Sequence, residues 1–513
     1  MAQRWPLPIQ GAYYILLPRY GDERGYMQES FRTDTKLDLG DTVEGQPSHQ
    51  IAWSKSCKGV LRGFHTSPYY KAVSILSGSI LDVLVDLRPH SPTYLKYAFM
   101  NLSEEEPGEV IVPPGVGHGF LSRSDDTRML YVQGGVYKPE QEMNVRWNDA
   151  VLNVPWPKEE AEAALVSAKD STSALLSEAR PDTATLKPGR RISLVIGASG
   201  QVGGALCELL TDARCVGTYC ANAAPRPGCV PFDMDAAADN PKLAEQLLSF
   251  VRPAVVYICA GFTWVDGCER DVEKAQRLNH RGPLAVAQAA KVYGAKVVFY
   301  STDYVFDGRA ASMTDDAAGY ANGYVETAPL NPLNVYGKSK VDGETAILQC
   351  DPSALILRTT VVYGPEMQGK NFVYQLARRL ADASGMSVPN DQVGSPTYNR
   401  DLAAISAELV EKGATGIYNV VGEEIMDRYA FAVEVASALG LDSSTVKGTE
   451  TVAGAAQTFG KADAQVGAER PLRCGLSMEK TLAVVSHRPR SVRDAIAHWK
   501  ATPFAAGAKE LGS

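Results

Sequence analysis

No two of the nine cysteines stand in CxxC spacing, no two histidines form HxH, and no apolar run approaches the length of a membrane span. The first absence removes the usual dithiol and zinc signatures. Five cysteines crowd into 207–259 without partners spaced for a metal, and an odd count in 513 residues reads as reduced, buried thiols. The opening MAQRWPLPIQ lacks the apolar core of a signal peptide, so a cytoplasmic protein is expected. A basic excess is missing too. With 51 Lys+Arg against 59 Asp+Glu the net charge is -8, which argues against non-specific binding to nucleic acid or an anionic membrane. Any bound phosphate must be held by a local constellation.

What is present is a folded composition, 45% hydrophobic and 21% charged, in a chain long enough for two to four domains. Up to about residue 170 the apolar runs are short and β-like, as in VSILSGSILDVLVDL (73–87) and EVIVPP (109–114), with Gly/Pro/Asp turns between them. That pattern predicts an all-β sandwich or barrel over 1–170. Residues 171–190, STSALLSEARPDTATLKPGR, are Ser/Thr/Pro-rich and aperiodic and read as a linker. From 191 to 500 strands and helices alternate: RISLVIG, QVGGALCELL, AVVYICA, VEKAQRL, KVVFYS. Alternation of this kind predicts a doubly wound parallel sheet. Residues 441–470 are rich in small residues and take no assignment, and 501–513 read as a frayed tail.

In the second region Gly197, Gly200 and Gly203 stand between a strand and a helix, enclosing Gln201 and Val202. Glycines there let the backbone turn and approach a pyrophosphate at a helix N-terminus. Alone the triplet also fits ordinary turns. Tyr336 and Lys340, four residues apart in NVYGKSKVDGETAIL, share a helical face. An ammonium beside a phenol stabilises the phenolate, and such a pair can protonate a carbonyl oxygen while hydride reaches the carbon. Taken alone, YxxxK also arises as two solvated helix residues. Thr302 in STDYVFDG follows a strand, where ligands of open α/β sheets bind, and can hydrogen-bond the same carbonyl.

These motifs, with AGFTWVDGCE, NDQVGSPTY and the late ERP (469–471), resemble the extended short-chain dehydrogenase/reductases, and within them the dTDP-4-dehydrorhamnose reductases. The resemblance implies a Rossmann domain with a small C-terminal substrate subdomain. It further implies a catalytic triad Thr302, Tyr336 and Lys340, with cofactor contacts at Ala260, Gly261, Thr263, Tyr336 and Lys340. Val265 and Asp266 would lie near the substrate. One departure stands out: RTTVVY puts Val361 where the family often has tryptophan against the sugar. About twenty residues past the glycines, GTYCANAAPR has no acidic residue for a ribose hydroxyl, and Arg226 suits a 2′-phosphate. NADPH is therefore expected, with NADH as the alternative.

The first region carries DERGYMQESF, GVLRGFH, LDVLVDLR, GHGF, YKPEQE and RWNDAVLNVPWP, and resembles the dTDP-4-dehydrorhamnose 3,5-epimerases, metal-free jelly rolls of the cupin type. Inverting a carbon beside a ketone needs a base, a stabiliser for the enolate oxygen, and an acid on the opposite face. His65 is the expected base and Asp170 its carboxylate partner; Lys71 is the enolate stabiliser and Tyr137 the acid. Arg24 and Arg62 are expected on sugar and diphosphate oxygens. Asp82, Gln50, Glu29, His118 and Tyr131 match further family positions. Only five residues separate His65 from Lys71, fewer than the family usually has, so Lys71 is placed by its distance from Asp82. His65 and His118 lack the third ligand of a cupin metal site, and no metal is expected.

Together the resemblances imply a bifunctional enzyme. It would epimerise a dTDP- or UDP-linked 4-keto-6-deoxy sugar, then reduce it to the L-rhamnose nucleotide. A homodimer is implied, as is a separate nucleotide-sugar 4,6-dehydratase to supply the ketone. The alternatives are a pair of activities making another 6-deoxyhexose, and an NADP-binding regulatory protein without catalysis.

Overall fold

The computed structural model describes residues 3–28, 30, 50–106, 108–189, 191–211, 215–221, 226–309, 323–451 and 467–501. Two sheets form the N-terminal unit. One runs in the order Gln3–Pro6, Tyr13–Leu16, Gly108–Val112, Lys71–Ser77, Thr127–Gln133, Gln50–Ser56; the other in the order Leu165–Val166, Val60–His65, Val116–Ser122, Ser79–Asp86, Tyr97–Ser103. Val73, Ile75 and Met129 of the first pack on Ile80, Leu84 and Phe120 of the second. Side chains alternate along a strand, so these contacts define which face of each strand is interior. Gly63 sits at φ +124, and a Cβ there would lie 2.5 Å from the Cα of Gly119. The glycines of GVLRGFH and GHGF thus let two strands approach closely and set His65 directly opposite His118.

The expected linker is largely structured. Helices Ala168–Ser171 and Leu176–Ala179 and a 3-10 turn at Pro181–Thr183 fold back on the sandwich. Leu176 is fully buried in the cluster of Val145, Leu152 and Trp156, and its N–H donates to Asp149 Oδ2 at 2.9 Å. Single apolar residues at non-periodic spacing gave no helical signal, yet the pocket beneath them orders the segment.

The second unit is a seven-stranded parallel sheet in the order Val230–Pro231, Cys215–Tyr219, Ser193–Ile196, Val255–Ile258, Lys296–Thr302, Leu355–Thr359, Gly416–Asn419. Strand order reverses between Ser193–Ile196 and Val255–Ile258, the place where ligands of such sheets bind. Short pairs, Met386–Pro389 with Val446–Thr449 and Val393–Gly394 with Met426–Asp427, build a smaller lobe. Helices Phe372–Ala381, Arg428–Leu439 and Val492–Ala501 close it over the buried Trp499. Val446–Thr449 lies in the unassigned 441–470 stretch; 452–466 and 502–513 fall outside the described residues.

The two units share one apolar cluster, running from Phe64, Phe99 and Trp156 to Leu247, Val251 and Val286. At the seam the Arg252 guanidinium lies 4.4 Å from the Phe99 ring centroid and 5.5 Å from that of Tyr293. The Tyr97 hydroxyl donates to the Arg252 carbonyl at 3.5 Å, and Tyr14 stands 5.9 Å from Phe250, centroid to centroid.

Candidate active sites

His65 ends the strand Val60–His65 at the mouth of the sandwich, half-exposed, with Nε2 2.9 Å from Asp170 Oδ1 and Nδ1 2.5 Å from Asn144 Oδ1. Asp170 is 4% exposed and sits in the first turn of Ala168–Ser171; the Ser167 hydroxyl donates to its Oδ2 at 3.0 Å. Burial pushes the Asp170 carboxyl up, but His65 and Ser167 together outweigh it and hold the group below the usual carboxylate range. The carboxylate is therefore charged and aimed at the imidazole.

The strand register decides which other groups share that space. Lys71, Gln133 and Gln50 are cross-strand neighbours, as are Val73, Tyr131 and Ala52 one pleat deeper. Val73 is interior, so Tyr131 and Lys71 point inward as well. The His118 ring lies 6.5 Å from that of Tyr131, and His118 Nε2 lies 2.6 Å from Asp82 Oδ1, both residues buried. Arg62 and Asp82 act electrostatically on the Tyr131 phenol, which burial pushes up to about 12. Lys71 is 9% exposed and burial lowers its amine; Glu142 opposes that shift and Lys169 reinforces it.

His65, Asp170, Lys71, Arg62, His118, Asp82, Tyr131 and Gln50 thus gather at one mouth. Tyr137 stands at its rim. It lies beyond the strand Thr127–Gln133, 42% exposed, its N–H donating to Gln50 Oε1 at 2.7 Å. Arg24 stands on the exposed hairpin of Arg19–Asp22 and Gly25–Gln28, paired at 2.5 Å with Asp22. Glu29 lies outside the described residues.

In the second unit Gly197 holds φ +88 and Gly200 caps the helix Gln201–Leu210. A Cβ on Gly203 would meet the Gly197 carbonyl at 2.2 Å. The backbone is therefore bare at a helix N-terminus above the switch point, which fits the pyrophosphate of a dinucleotide. Gln201 Nε2 donates to the Val362 carbonyl at 2.9 Å, tying this loop to the cleft wall, and Val202 packs on the core beneath. Ala260 and Gly261 follow the strand Val255–Ile258; a Cβ on Gly261 would lie 2.9 Å from Asn279 Oδ1 and 3.4 Å from Lys340 Nζ. Arg226 opens the turn into Val230–Pro231, its carbonyl accepting from the Cys229 N–H at 3.3 Å. Residues 222–225, beside it, lie outside the described residues.

Asn334 caps the helix Val335–Cys350, which carries Tyr336 and Lys340 on its buried face. Thr302, whose hydroxyl donates to Asp303 Oδ1 at 3.0 Å, acts on the Tyr336 phenol to lower it, and Lys340 Nζ donates to the Tyr300 carbonyl at 2.9 Å. Burial dominates both titrations, driving the phenol up and the amine down to about 8. The lowering expected of the phenol is thus outweighed, and Tyr336 stands protonated, ready to donate. A small cleft lined by Asp303, Tyr304, Thr360, Val361, Gln392 and Arg428 among others lies beside it, the Tyr304 ring standing 5.7 Å from that of Tyr336, centroid to centroid. Val361 adopts φ +42, a strained conformation for a β-branched residue. Thr263 is exposed, and Val265 begins the helix Val265–Arg270. Asp266 is committed elsewhere, accepting from Ala468 N–H at 2.9 Å and Arg470 Nη2 at 3.0 Å.

Residues 191–502, more than half the chain, match the family described as RmlD substrate binding domain. The chain belongs to the dTDP-4-dehydrorhamnose reductase family. Residues 6–178 match the dTDP-4-dehydrorhamnose 3,5-epimerase family, so an epimerase domain is fused to the reductase domain. The chain is 34% identical over 249 residues to the reductase of Aggregatibacter actinomycetemcomitans, covering 47% of this chain and 77% of that one. It is 36% identical over 267 residues to the reductase of Streptomyces griseus, covering 51% and 80%. A Bacillus anthracis dTDP-4-dehydrorhamnose reductase solved in complex with NADP superposes with a TM-score of 0.51 at 27% identity, over 61% of this chain and 99% of that one.

Several residues escaped sequence reasoning. In the reductase domain Asn279 lies in a π-turn, Arg277–Arg281, and is fully buried. It bonds both polar atoms of the Phe262 backbone and the Ser339 hydroxyl, tying the Gly261 loop to the Tyr336 helix. No local motif marks it. In the epimerase domain Glu142 and Lys169 lie 3.8 Å apart beside Lys71, and Asn144 contacts His65. The adjacency of Lys169 to Asp170 was the one available signal.

Proposed function

We propose that this chain performs two successive steps on a dTDP-linked 4-keto-6-deoxy hexose: inversion at C3 and C5, then reduction at C4. The observation that carries the reading is the charged, buried Asp170 carboxylate 2.9 Å from His65, at a mouth shared with an inward lysine and an inward phenol. His65 removes the proton beside the ketone; Asp170 holds the ring and offsets the positive charge it gains. Lys71 stands by the oxygen where enolate charge develops. Tyr131, rather than Tyr137, returns the proton, because the register turns Tyr131 inward whereas Tyr137 stands 42% exposed beyond the strand. Arg62 and His118 hold the substrate from the same mouth, with Asp82 orienting His118.

The inverted ketone then enters the reductase cleft, where Thr302 and Tyr336 take up the C4 oxygen and Tyr336 supplies its proton. The glycine cradle fits NADPH, which when bound supplies the hydride. Lys340 recharges the phenol's proton through its own ammonium. The dTDP form is favoured over UDP because the related reductases carry dTDP in their names. A homodimer formed through the epimerase domain is supported by its edge strand Gln50–Ser56, where Ile51 and Trp53 are 67% and 65% exposed on one face. The ketone itself requires a separate 4,6-dehydratase.

Product analysis by NMR tests the reading. With dTDP-4-keto-6-deoxy-D-glucose and NADPH the product should be dTDP-L-rhamnose, with solvent deuterium at C3 and C5. A reduced sugar retaining the D configuration would sink it.

A further inference from the structure

The helix that carries Tyr336 and Lys340 places a third ionisable side chain on the same face, Glu344, one turn beyond the lysine. It is 2% exposed, and both its oxygens are taken by Arg358 of the strand Leu355–Thr359, one in from the sheet edge: Nε to Oε1 at 3.0 Å and Nη2 to Oε2 at 2.7 Å. Arg358 is 1% exposed; its Nη1 donates to the Glu326 carbonyl at 3.0 Å, and its guanidinium lies 5.2 Å from the Phe306 ring centroid. A buried ion pair is a poor device for stability, since well-packed apolar residues of similar volume commonly serve as well or better. Its location matters more. Glu344 is the carboxylate that acts on the Lys340 amine, and lysine and glutamate four residues apart on a helix pair readily.

We propose that Arg358 is a positioning residue of the reductase site, occupying both oxygens of Glu344 so that this carboxylate cannot draw the Lys340 ammonium one helical turn away from Tyr336. With Arg358 in place, Lys340 Nζ reaches instead to the Tyr300 carbonyl, at the strand end that continues to Thr302. Glu344 still favours the charged amine from a distance. The other groups around that nitrogen are Cys259 and Cys268, the Phe299 ring 4.6 Å from it, and Asn279 across Gly261. None of these is a carboxylate. The pair thus leaves the lysine charged but not captured.

The inference rests on the proposed reduction, and wild-type turnover of the keto sugar is its control: an inactive wild type defeats that reading, whereas active wild type with unresponsive variants defeats only the inference. Glu344→Gln, Arg358→Met and the double variant are compared in three readouts: kcat against pH, NADPH affinity by nicotinamide fluorescence, and thermal melting. Arg358→Met should lose about 100-fold in kcat, bind NADPH more weakly and lose its activity at higher pH than wild type, because Glu344 now pairs with Lys340. Glu344→Gln should move the alkaline limb the other way, since the lysine loses the charge that favours its ammonium. The double variant should recover to within about tenfold of wild type, with its limb on the Glu344→Gln side. A merely structural pair would change melting without moving the pH limb. The proposal is overturned if folded variants keep the wild-type limb, or if the double variant is no faster than Arg358→Met. Should Arg358→Met fail to fold, an unmoved limb in the isosteric Glu344→Gln overturns it alone.

Discussion

Burial drives Tyr336 and Lys340 in opposite senses, and the two shifts have different consequences. A phenol kept protonated suits donation to a carbonyl oxygen. An amine lowered to about 8 means that the fold disfavours the ammonium relative to the unfolded chain, where lysine titrates near ~10.4. Between those values the unfolded state holds more protons, so stability rises with pH across that window and the full penalty applies below it. Lys340→Met should therefore melt higher than wild type at pH 7, by on the order of 1–3 kcal/mol, while losing reduction. The gap should close near pH 10; a gap that grows with pH would refute the assignment. In the epimerase domain, His65→Asn should cut deuterium exchange at C3 and C5 by about 10²–10⁴-fold, the usual worth of a general base. NADPH oxidation with already inverted ketone should be untouched. Tyr131→Phe should stop exchange of at least one position, whereas Tyr137→Phe should retain it; mass spectrometry of deuterated product separates the two.

At the scale of elements, the glycine cradle and the folded-back segment make contrasting claims. Gly203→Ala forces a Cβ into the Gly197 carbonyl, since the ideal position is only 2.2 Å away and the obstacle is backbone. NADPH affinity should fall at least tenfold while epimerase activity is unchanged; equal affinity by fluorescence titration would show that the loop yields. Leu176→Ala removes a fully buried side chain from a stretch whose composition reads as a linker. A true linker would tolerate the change, but a packed segment should lose about 2–5 kcal/mol in denaturant unfolding. Element boundaries of this kind were illegible because a short helix anchored by one leucine has no period. The GxxGxxG turn and YxxxK helix were legible because their spacing is the chemistry's own requirement.

The whole molecule is joined along a seam of apolar and cationic contacts. Arg252 is half-buried there, its guanidinium lowered to about 10 by desolvation, between an aromatic ring of each domain. A shared core cluster implies coupled unfolding. Wild type should give one calorimetric transition, and Arg252→Ala should separate it into two or broaden it; two resolved transitions in wild type would disprove the coupling. Much of this architecture was already written locally: a β-rich first third, an alternating remainder, the glycine cradle, and the residues His65, Thr302, Tyr336 and Lys340, each embedded in a motif. Tertiary structure alone decided the rest. Which of two tyrosines faces the sandwich interior follows from a pleat register that pairs Tyr131 with Val73. Asn279 and Arg358 become neighbours of the helix that carries Tyr336, Lys340 and Glu344 only once elements distant in sequence lie side by side. Periodicity and motif spacing report what a chain does with its near neighbours; burial, register and ion pairing are properties of residues that meet only after folding.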